Sequence, residues 1–367
     1  MKIGTVKEIK QHEYRVGITP YNARDYAAAG HTVYIQKGAG EGSFFTDEEY
    51  IESGATILDT AEAVWATCDM VVKVKEPLAP EYDLMREGQI LYTYLHLAAD
   101  KPLTEALLAK KVTAIAYETI TDKNGGLPLL KPMSEVAGKL SVQAGTMCLE
   151  KQNGGRGILL GGTPGVKRGD MVIIGGGIVG TAALKIAVGL GASVTILDNN
   201  LDRLSQLDDM FGGSVQTMYS TAANIEAAVK NADLVIGAVL IPGAAAPKLI
   251  KREYLKAMRK GSVIVDVAVD QGGCAETTKV TYYDNPTYEV DGVIHYCVAN
   301  MPGAVSKTST VALTNATFAY GLKLANMGFD KAVESDACLA QGVNTHAGKL
   351  VCKEVADAFG MGWEPLV

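Results

Sequence analysis

The sequence predicts an α/β protein of two domains, one built on a doubly wound parallel sheet, the other a discontinuous α/β domain. Three observations carry that prediction. Two successive series of apolar, β-rich runs are spaced by helical patterns. A glycine-rich fingerprint, Gly175-Gly176-Gly177-Ile178-Val179-Gly180, closes one of those runs. The chain has 367 residues, ordinary for two domains and awkward for one.

The first series comprises MKIGTV, HTVYIQ (31–36), DMVVKVK (69–75), QILYTYLHL (89–97) and VTAIAYET (112–119), separated by helix-like stretches such as 20–29 and 104–111. A long helix is expected to start near Ser134, a good N-cap residue, with Val136, Leu140, Ala144 and Met147 on one face and Gly154-Gly155 ending it. Residues 154–169 read as a connector or lid. The second series is MVIIG (171–175), SVTILD (193–198), ADLVIGAV (232–239), SVIVDVAV (262–269) and VIHYCVAN (293–300). These runs are almost continuously apolar, as strands of a parallel sheet covered on both faces should be. From Lys307 on, the chain reads as helical with no strand of its own and needs a partner surface. The expected division is therefore 1–129 plus 307–367 for a discontinuous substrate domain and 130–306 for the Rossmann domain.

Composition excludes several classes. Lys and Arg number 34 against 41 Asp and Glu, a net charge of −7, which argues against a nucleic-acid partner. The six cysteines form no CxxC pair, so reduced thiols are expected, with neither a disulfide framework nor a metal site. MKIGTVKEIK holds no apolar run of signal-peptide length, and no apolar stretch of membrane-spanning length follows. A cytoplasmic protein without membrane contact is the expectation.

The fingerprint lies between an apolar strand and a helical pattern that runs from Ile178 to Leu190, and the next strand ends in Asp198. Gly175 permits a tight turn, Gly177 lets the backbone approach a pyrophosphate, and Gly180 lets helix and strand pack closely. The helix N-terminus favours the pyrophosphate. Asp198 can accept from ribose hydroxyls and would repel a 2′-phosphate, which favours NAD over NADP; Arg203 argues the other way, since a nearby arginine can serve that phosphate. Ligands of open α/β sheets sit beyond the carboxyl ends of strands. That rule makes Val239, Leu240, Val267 to Asp270, Asn300 and Met301 neighbours of the cofactor. Asp270 would face the nicotinamide end, although a solvated loop acid or a helix cap fits it too.

In the first series, Lys73 and Lys75 alternate with valines. They read either as a lysine-guarded edge strand or as an ammonium placed for a substrate. His96 closes ILYTYLHL on the face of Tyr92 and Tyr94, where a satisfied core histidine is the ordinary alternative. Arg15, just before a helix start, offers a planar fork suited to a carboxylate, although a solvated surface arginine is the ordinary alternative.

Read in order, KEIKQHEYRVGITP, VVKVKEP, YTYLHLA, GGTPGV with GGGIVG, and DGVIHYCVANMPGAV resemble the alanine dehydrogenase/pyridine nucleotide transhydrogenase family, nearly end to end. The resemblance implies that Arg15 and Lys75 hold the carboxylate and carbonyl oxygen of the substrate, that His96 is the acid/base residue, and that Asp270 is the second catalytic group. It adds Ser134, Ile178, Val179, Ser220, Lys279 and Val298 to the cofactor contacts, beside Asp198, Arg203 and the stretches already named. Lys279 stands where an arginine is frequent in the family, and Ser306-Lys307 replaces an expected Pro-Arg. The implied reaction converts L-alanine, NAD and water to pyruvate, ammonium and NADH in a homohexamer, as part of amino-acid catabolism. Domain closure over a crevice would exclude water. Two other activities compete: the NAD(H)-binding subunit of a proton-translocating transhydrogenase, and an amino-acid dehydrogenase with a larger substrate.

Overall fold

The computed structural model describes residues 1–239 and 246–366; Leu240, expected beside the cofactor, lies outside the described residues. Among the described residues fifteen strands run in chain order as β1 (Lys2–Thr5), β2 (Thr32–Gln36), β3 (Thr56–Leu58), β4 (Met70–Val72), β5 (Ile90–Thr93), β6 (Thr113–Ala116), β7 (Asp170–Ile174) and β8 (Ser193–Asp198). They continue as β9 (Val215–Tyr219), β10 (Leu234–Gly237), β11 (Val263–Asp266), β12 (Thr287–Val290), β13 (Val293–Tyr296), β14 (Val343–His346) and β15 (Lys349–Leu350). Two compact units hold them, Met1–Met133 with Gly303–Val367, and Ser134–Pro302. Among the described residues no helix is long and apolar enough to cross a membrane.

The sheet of the first unit runs β15-β14-β6-β5-β4-β1-β2-β3. Its strands from β3 to β6 are parallel, and β14 and β15 close one edge in antiparallel fashion. Trp65, Val71, Leu91, Leu97, Leu103 and Leu107 pack a core under it, all essentially inaccessible. The strand-free reading of the C-terminal segment is thus wrong: β14 covers the edge of β6, with Val343 opposite Ile115. The hairpin escaped notice because its turn is Ala347-Gly348, both in the left-handed region, without the Asn-Gly or Asp-Gly signature of that turn.

The second unit orders its strands β12-β13-β11-β10-β7-β8-β9. All pairs are parallel except β12 with β13. β7, β10, β11 and β13 are buried almost throughout, which is why they read as unbroken apolar runs. β9 and β12 sit at the edges and are half exposed, and their polar residues hid them from a hydrophobicity pattern. β7 has β8 on one side and β10 on the other, so the strand order reverses there. That reversal opens a crevice beyond the strand ends.

Two expectations about the segment between the series are corrected. The helix is Lys131–Cys148, so Ser134 lies inside it rather than capping it; Pro132 is tolerated in a first turn because its missing N–H has no helical partner there. Val136, Leu140 and Ala144 are buried as expected, but Met147 is exposed. Residues 154–169 are also no lid. They are tied to the second unit by Arg156 N donating to Gly261 O at 3.1 Å and Ser193 N donating to Gly169 O at 3.0 Å.

Candidate functional site

In the first unit the candidate groups stand beyond the carboxyl ends of β1, β4, β5 and β6, which are adjacent and parallel. Arg15 lies between β1 and the helix Pro20–Ala28 and is buried. Its Nε and Nη2 donate to the two oxygens of Glu13 at 2.7 and 2.6 Å, and Nη1 donates to Met133 Sδ at 2.9 Å. Burial works against the guanidinium charge, and Glu13 more than restores it, so its pKa is raised. The fork edge formed by Nε and Nη2 is thereby committed to Glu13.

Lys73 and Lys75 do not belong to a strand, as the valine alternation suggested: β4 ends at Val72. Lys73 turns inward, fully buried, with Nζ 2.9 Å from Glu8 and 3.0 Å from Glu81. Burial acts to lower the Lys73 pKa, yet the two carboxylates hold it above the ordinary lysine value. The other oxygen of Glu8 accepts the N–H groups of Val74 and Lys75 at 2.6 and 3.2 Å, which stops the strand and fixes the turn. A Lys73→Met change would leave Glu8 and Glu81 buried without their cation. The expected loss is about 3–5 kcal/mol of unfolding free energy, seen as a lower urea midpoint at unchanged slope. A loss under about 1 kcal/mol would show the triad to be structurally dispensable.

Lys75 is different. Its Nζ sits 5.9 Å from the ring centroid of Tyr94, and no acidic group among the described residues pairs with it. Burial, and then the charge of Arg15, lower its pKa. An ammonium held near an arginine, with Glu76 and Glu13 acting on it only at longer range, is poised for an anionic ligand.

β5 ends at Thr93, so His96 is not on a strand face either. It adopts φ 52°, ψ 36° ahead of the turn Leu97–Ala99, and its ring lies flat against Tyr94 at 5.9 Å and 5°. Half of its side chain is exposed. Tyr94 thus neighbours both Lys75 and His96, while its hydroxyl donates to Leu129 O at 2.7 Å. Glu8, Glu13 and Glu118, which shape this cluster, were not singled out from the sequence. Of these, only Glu13 stands close in sequence to its partner, two residues before Arg15.

In the second unit the three glycines do three jobs. Gly175 follows β7 at φ 103°, where a Cβ would lie 2.8 Å from Ala238 O. In the helix Ile178–Gly189, a Cβ on Gly180 would lie 1.8 Å from Gly175 O, so only glycine lets helix and strand pack. Gly177 has an ordinary φ of −66°, and a Cβ there would meet nothing within 4 Å. Neither backbone nor packing asks for glycine at that position, whereas a ligand approaching the backbone would. No side chain caps this helix, which leaves its first-turn N–H groups suited to a phosphate.

Asp198 ends β8 beside an open recess lined by Asn199, Asn200, Leu201, Asp202 and Tyr219. Its oxygens accept from Gly176 N at 2.6 Å and Asn200 N at 2.8 Å; a carboxylate keeps further lone pairs for hydroxyl donors. Arg203 donates through Nε to Gly176 O at 2.7 Å, through Nη2 to Thr181 at 2.6 Å and through Nη1 to Gln206 at 2.9 Å. It clamps the fingerprint, so its guanidinium is not held out for a 2′-phosphate. Ser220 N donates to Asp198 O at 3.0 Å, which brings the ends of β8 and β9 together.

β11 ends at Asp266, not at Val269, so Asp270 is no strand-end residue. It is exposed in the turn Val267–Gln271. The strand stops because the buried Asp266 takes the N–H groups of Ala268, Cys274 and Ala275 at 3.2, 2.7 and 3.2 Å. Val239 and Val267 are partly buried near these strand ends, and Val298 is buried opposite Thr281. Asn300 takes φ 58°, and Met301 O accepts from Tyr283 at 2.8 Å. Lys279 is exposed, with its N–H on Tyr288 Oη at 2.7 Å. Among the described residues no hydrogen bond joins Lys279 or Ser134 to the fingerprint.

Comparison with known proteins agrees in both units. Residues 4–137 match the alanine dehydrogenase/PNT N-terminal domain, and residues 141–353 match the alanine dehydrogenase/PNT C-terminal domain. An alanine dehydrogenase of Methanococcus maripaludis is 58% identical over 366 residues, covering 100% of this chain and 98% of that protein. A solved structure of an L-alanine dehydrogenase superposes with a TM-score of 0.96 at 56% identity, covering 98% of this chain and 99% of the other. The transhydrogenase of Sinorhizobium meliloti has a TM-score of 0.83 at 23% identity over 96% of this chain and 99% of its own, a likeness of fold alone.

Proposed function

Because this chain belongs to the alanine dehydrogenase/PNT family, we propose that it catalyses the reversible NAD-dependent oxidative deamination of L-alanine to pyruvate and ammonium. One observation carries the substrate half of that reading: the Lys75 ammonium, in no ion pair among the described residues, stands by the Tyr94–His96 stack and feels the charge of Arg15. A subunit that only exchanged hydride between nucleotides would have no use for it.

The nicotinamide, when bound, supplies the hydride acceptor for the substrate α-carbon. Arg15 orients the substrate carboxylate with a guanidinium that Glu13 braces. Lys75 stabilises negative charge on the carbonyl or carbinolamine oxygen. His96 and Asp270 share the proton transfers as water adds and ammonia leaves. Gly177 and the uncapped helix end receive the pyrophosphate, and Asp198 receives the ribose hydroxyls. Contacts from Ser134, Ile178, Val179, Ser220, Val239, Val267, Lys279, Val298, Asn300 and Met301 complete the cofactor set that the family resemblance suggests. The same resemblance supports a cytoplasmic homohexamer, which light scattering on the purified protein would test.

The deciding assay mixes the protein with NADH, ammonium and pyruvate and follows NADH absorbance, with glyoxylate and 2-oxobutyrate in parallel. Ammonium-dependent oxidation with pyruvate is expected. Binding of NADH without reduction of any oxo-acid would defeat the proposal in favour of a transhydrogenase-like role. Faster turnover of 2-oxobutyrate than of pyruvate would point to a larger substrate. Asp198→Asn, which removes charge and keeps the side-chain shape, should lower the preference for NADH over NADPH about tenfold or more, equivalent to about 1.4 kcal/mol. A preference unchanged within about twofold would take Asp198 out of ribose recognition.

A further inference from the structure

His96 stands in a backbone conformation that an L-residue disfavours, φ 52° and ψ 36°. β5 and β6 are parallel neighbours with Thr93 opposite Ala116, so the segments that follow them leave the sheet side by side. Glu118 lies in the turn Tyr117–Thr119 directly after β6. Its Oε1 accepts the His96 N–H at 2.6 Å and the Leu95 N–H at 3.1 Å, and its Oε2 lies 3.3 Å from the same Leu95 nitrogen. The imidazole Nδ1 is 3.8 Å from Oε1. Among the described residues no lysine or arginine pairs with this carboxylate, and its side chain is only 15% exposed.

We propose that Glu118 is a positioning residue for His96: it fixes the left-handed turn that stacks the imidazole on Tyr94 and keeps a carboxylate beside the ring when His96 carries a proton. The two effects are separable. Bonds to two successive amides need only an oxygen acceptor, whereas stabilising an imidazolium needs a negative charge. A staple that merely held the loop would be served equally well by glutamine.

The proposal rests on the reading of His96 as a proton-handling residue, so the test has one readout that is independent of activity. Protein labelled with 13Cε1-histidine is compared as wild type, Glu118→Gln, Glu118→Asp and Glu118→Ala, with His96→Asn identifying the His96 signal among the five histidines. In wild type and Glu118→Gln the His96 signal should carry the ring-current displacement due to Tyr94; in Glu118→Ala it should lose it. Turnover of pyruvate and ammonium should fall on the order of tenfold or more in Glu118→Ala, and by no more than the roughly 10²–10⁴ attributed to an acid/base residue itself. The fall should lie in kcat, with NADH affinity unchanged. Glu118→Gln should keep the signal position yet lose part of kcat. Glutamine at wild-type kcat would overturn the electrostatic half. An unmoved His96 signal in Glu118→Ala would overturn the positioning half, whatever the rate does. If the signal moves but His96→Asn turns over normally, Glu118 still positions His96, and it is the role of His96 in the chemistry that falls. Should Glu118→Ala not fold, Glu118→Asp decides, because its shorter side chain cannot reach both amides: a displaced signal supports positioning, and an unmoved one refutes it.

Discussion

With alanine at position 96 the protein is expected to turn over pyruvate and ammonium roughly 10²–10⁴ times more slowly and to bind NADH as tightly as before. The expectation follows from where His96 stands. It is an imidazole at the open ends of parallel strands, half exposed, stacked on a buried tyrosine that also neighbours the ammonium of Lys75. Histidine is the side chain whose ordinary pKa, about 6.5, lies near working pH, and general acid–base catalysis is most effective there. The nucleotide contacts proposed above lie on the other unit, so affinity for NADH should not change. Alanine is poorly suited to φ 52°, and His96→Asn provides the control, because asparagine tolerates the left-handed region. Both variants should be slow in steady-state assays and normal in NADH fluorescence titration. Full activity in the asparagine variant would remove His96 from the mechanism.

The fold was legible in the sequence wherever burial on both faces made a strand continuously apolar, as in β7, β10, β11 and β13. It was illegible at polar edges such as β12 and in the Ala347-Gly348 hairpin. The most instructive misreadings concern where strands end. β4, β5 and β11 each read several residues too long, and each is stopped by a carboxylate that captures the next amides. Glu8 takes Val74 and Lys75, Glu118 takes Leu95 and His96, and Asp266 takes Ala268, Cys274 and Ala275. Glu8 and Glu118 are distant in sequence from the amides they bind, so no local pattern could show the stop. The captured segments are the ones that carry Lys75, His96 and Asp270. Residue type and resemblance pointed to those three side chains; the carboxylates that hold two of them in place were visible only in the folded chain.

Gly177 and Gly180, three positions apart in one fingerprint, should respond in opposite ways to the same added methyl. At Gly180 a Cβ would stand 1.8 Å from Gly175 O, a distance no rotamer can relieve because the backbone fixes the Cβ and the oxygen is itself backbone. Helix Ile178–Gly189 must then move off β7, and Gly180→Ala should cost about 1–3 kcal/mol or more of stability, as overpacking does, together with nucleotide binding. At Gly177 the backbone has φ −66° and the added carbon meets no protein atom within 4 Å. Gly177→Ala should therefore melt within about 0.5 kcal/mol of the unaltered apo-protein. The methyl group would nevertheless occupy the space over the helix N-terminus into which a pyrophosphate must come, so NADH affinity should fall at least tenfold, or about 1.4 kcal/mol. Urea melts and NADH titrations on the two variants separate the effects. If Gly177→Ala binds NADH normally, the pyrophosphate does not approach that backbone, and the open space at Gly177 has some other cause. If instead it unfolds as readily as Gly180→Ala, the glycine there serves the fold, and the cofactor reading loses its most direct structural support.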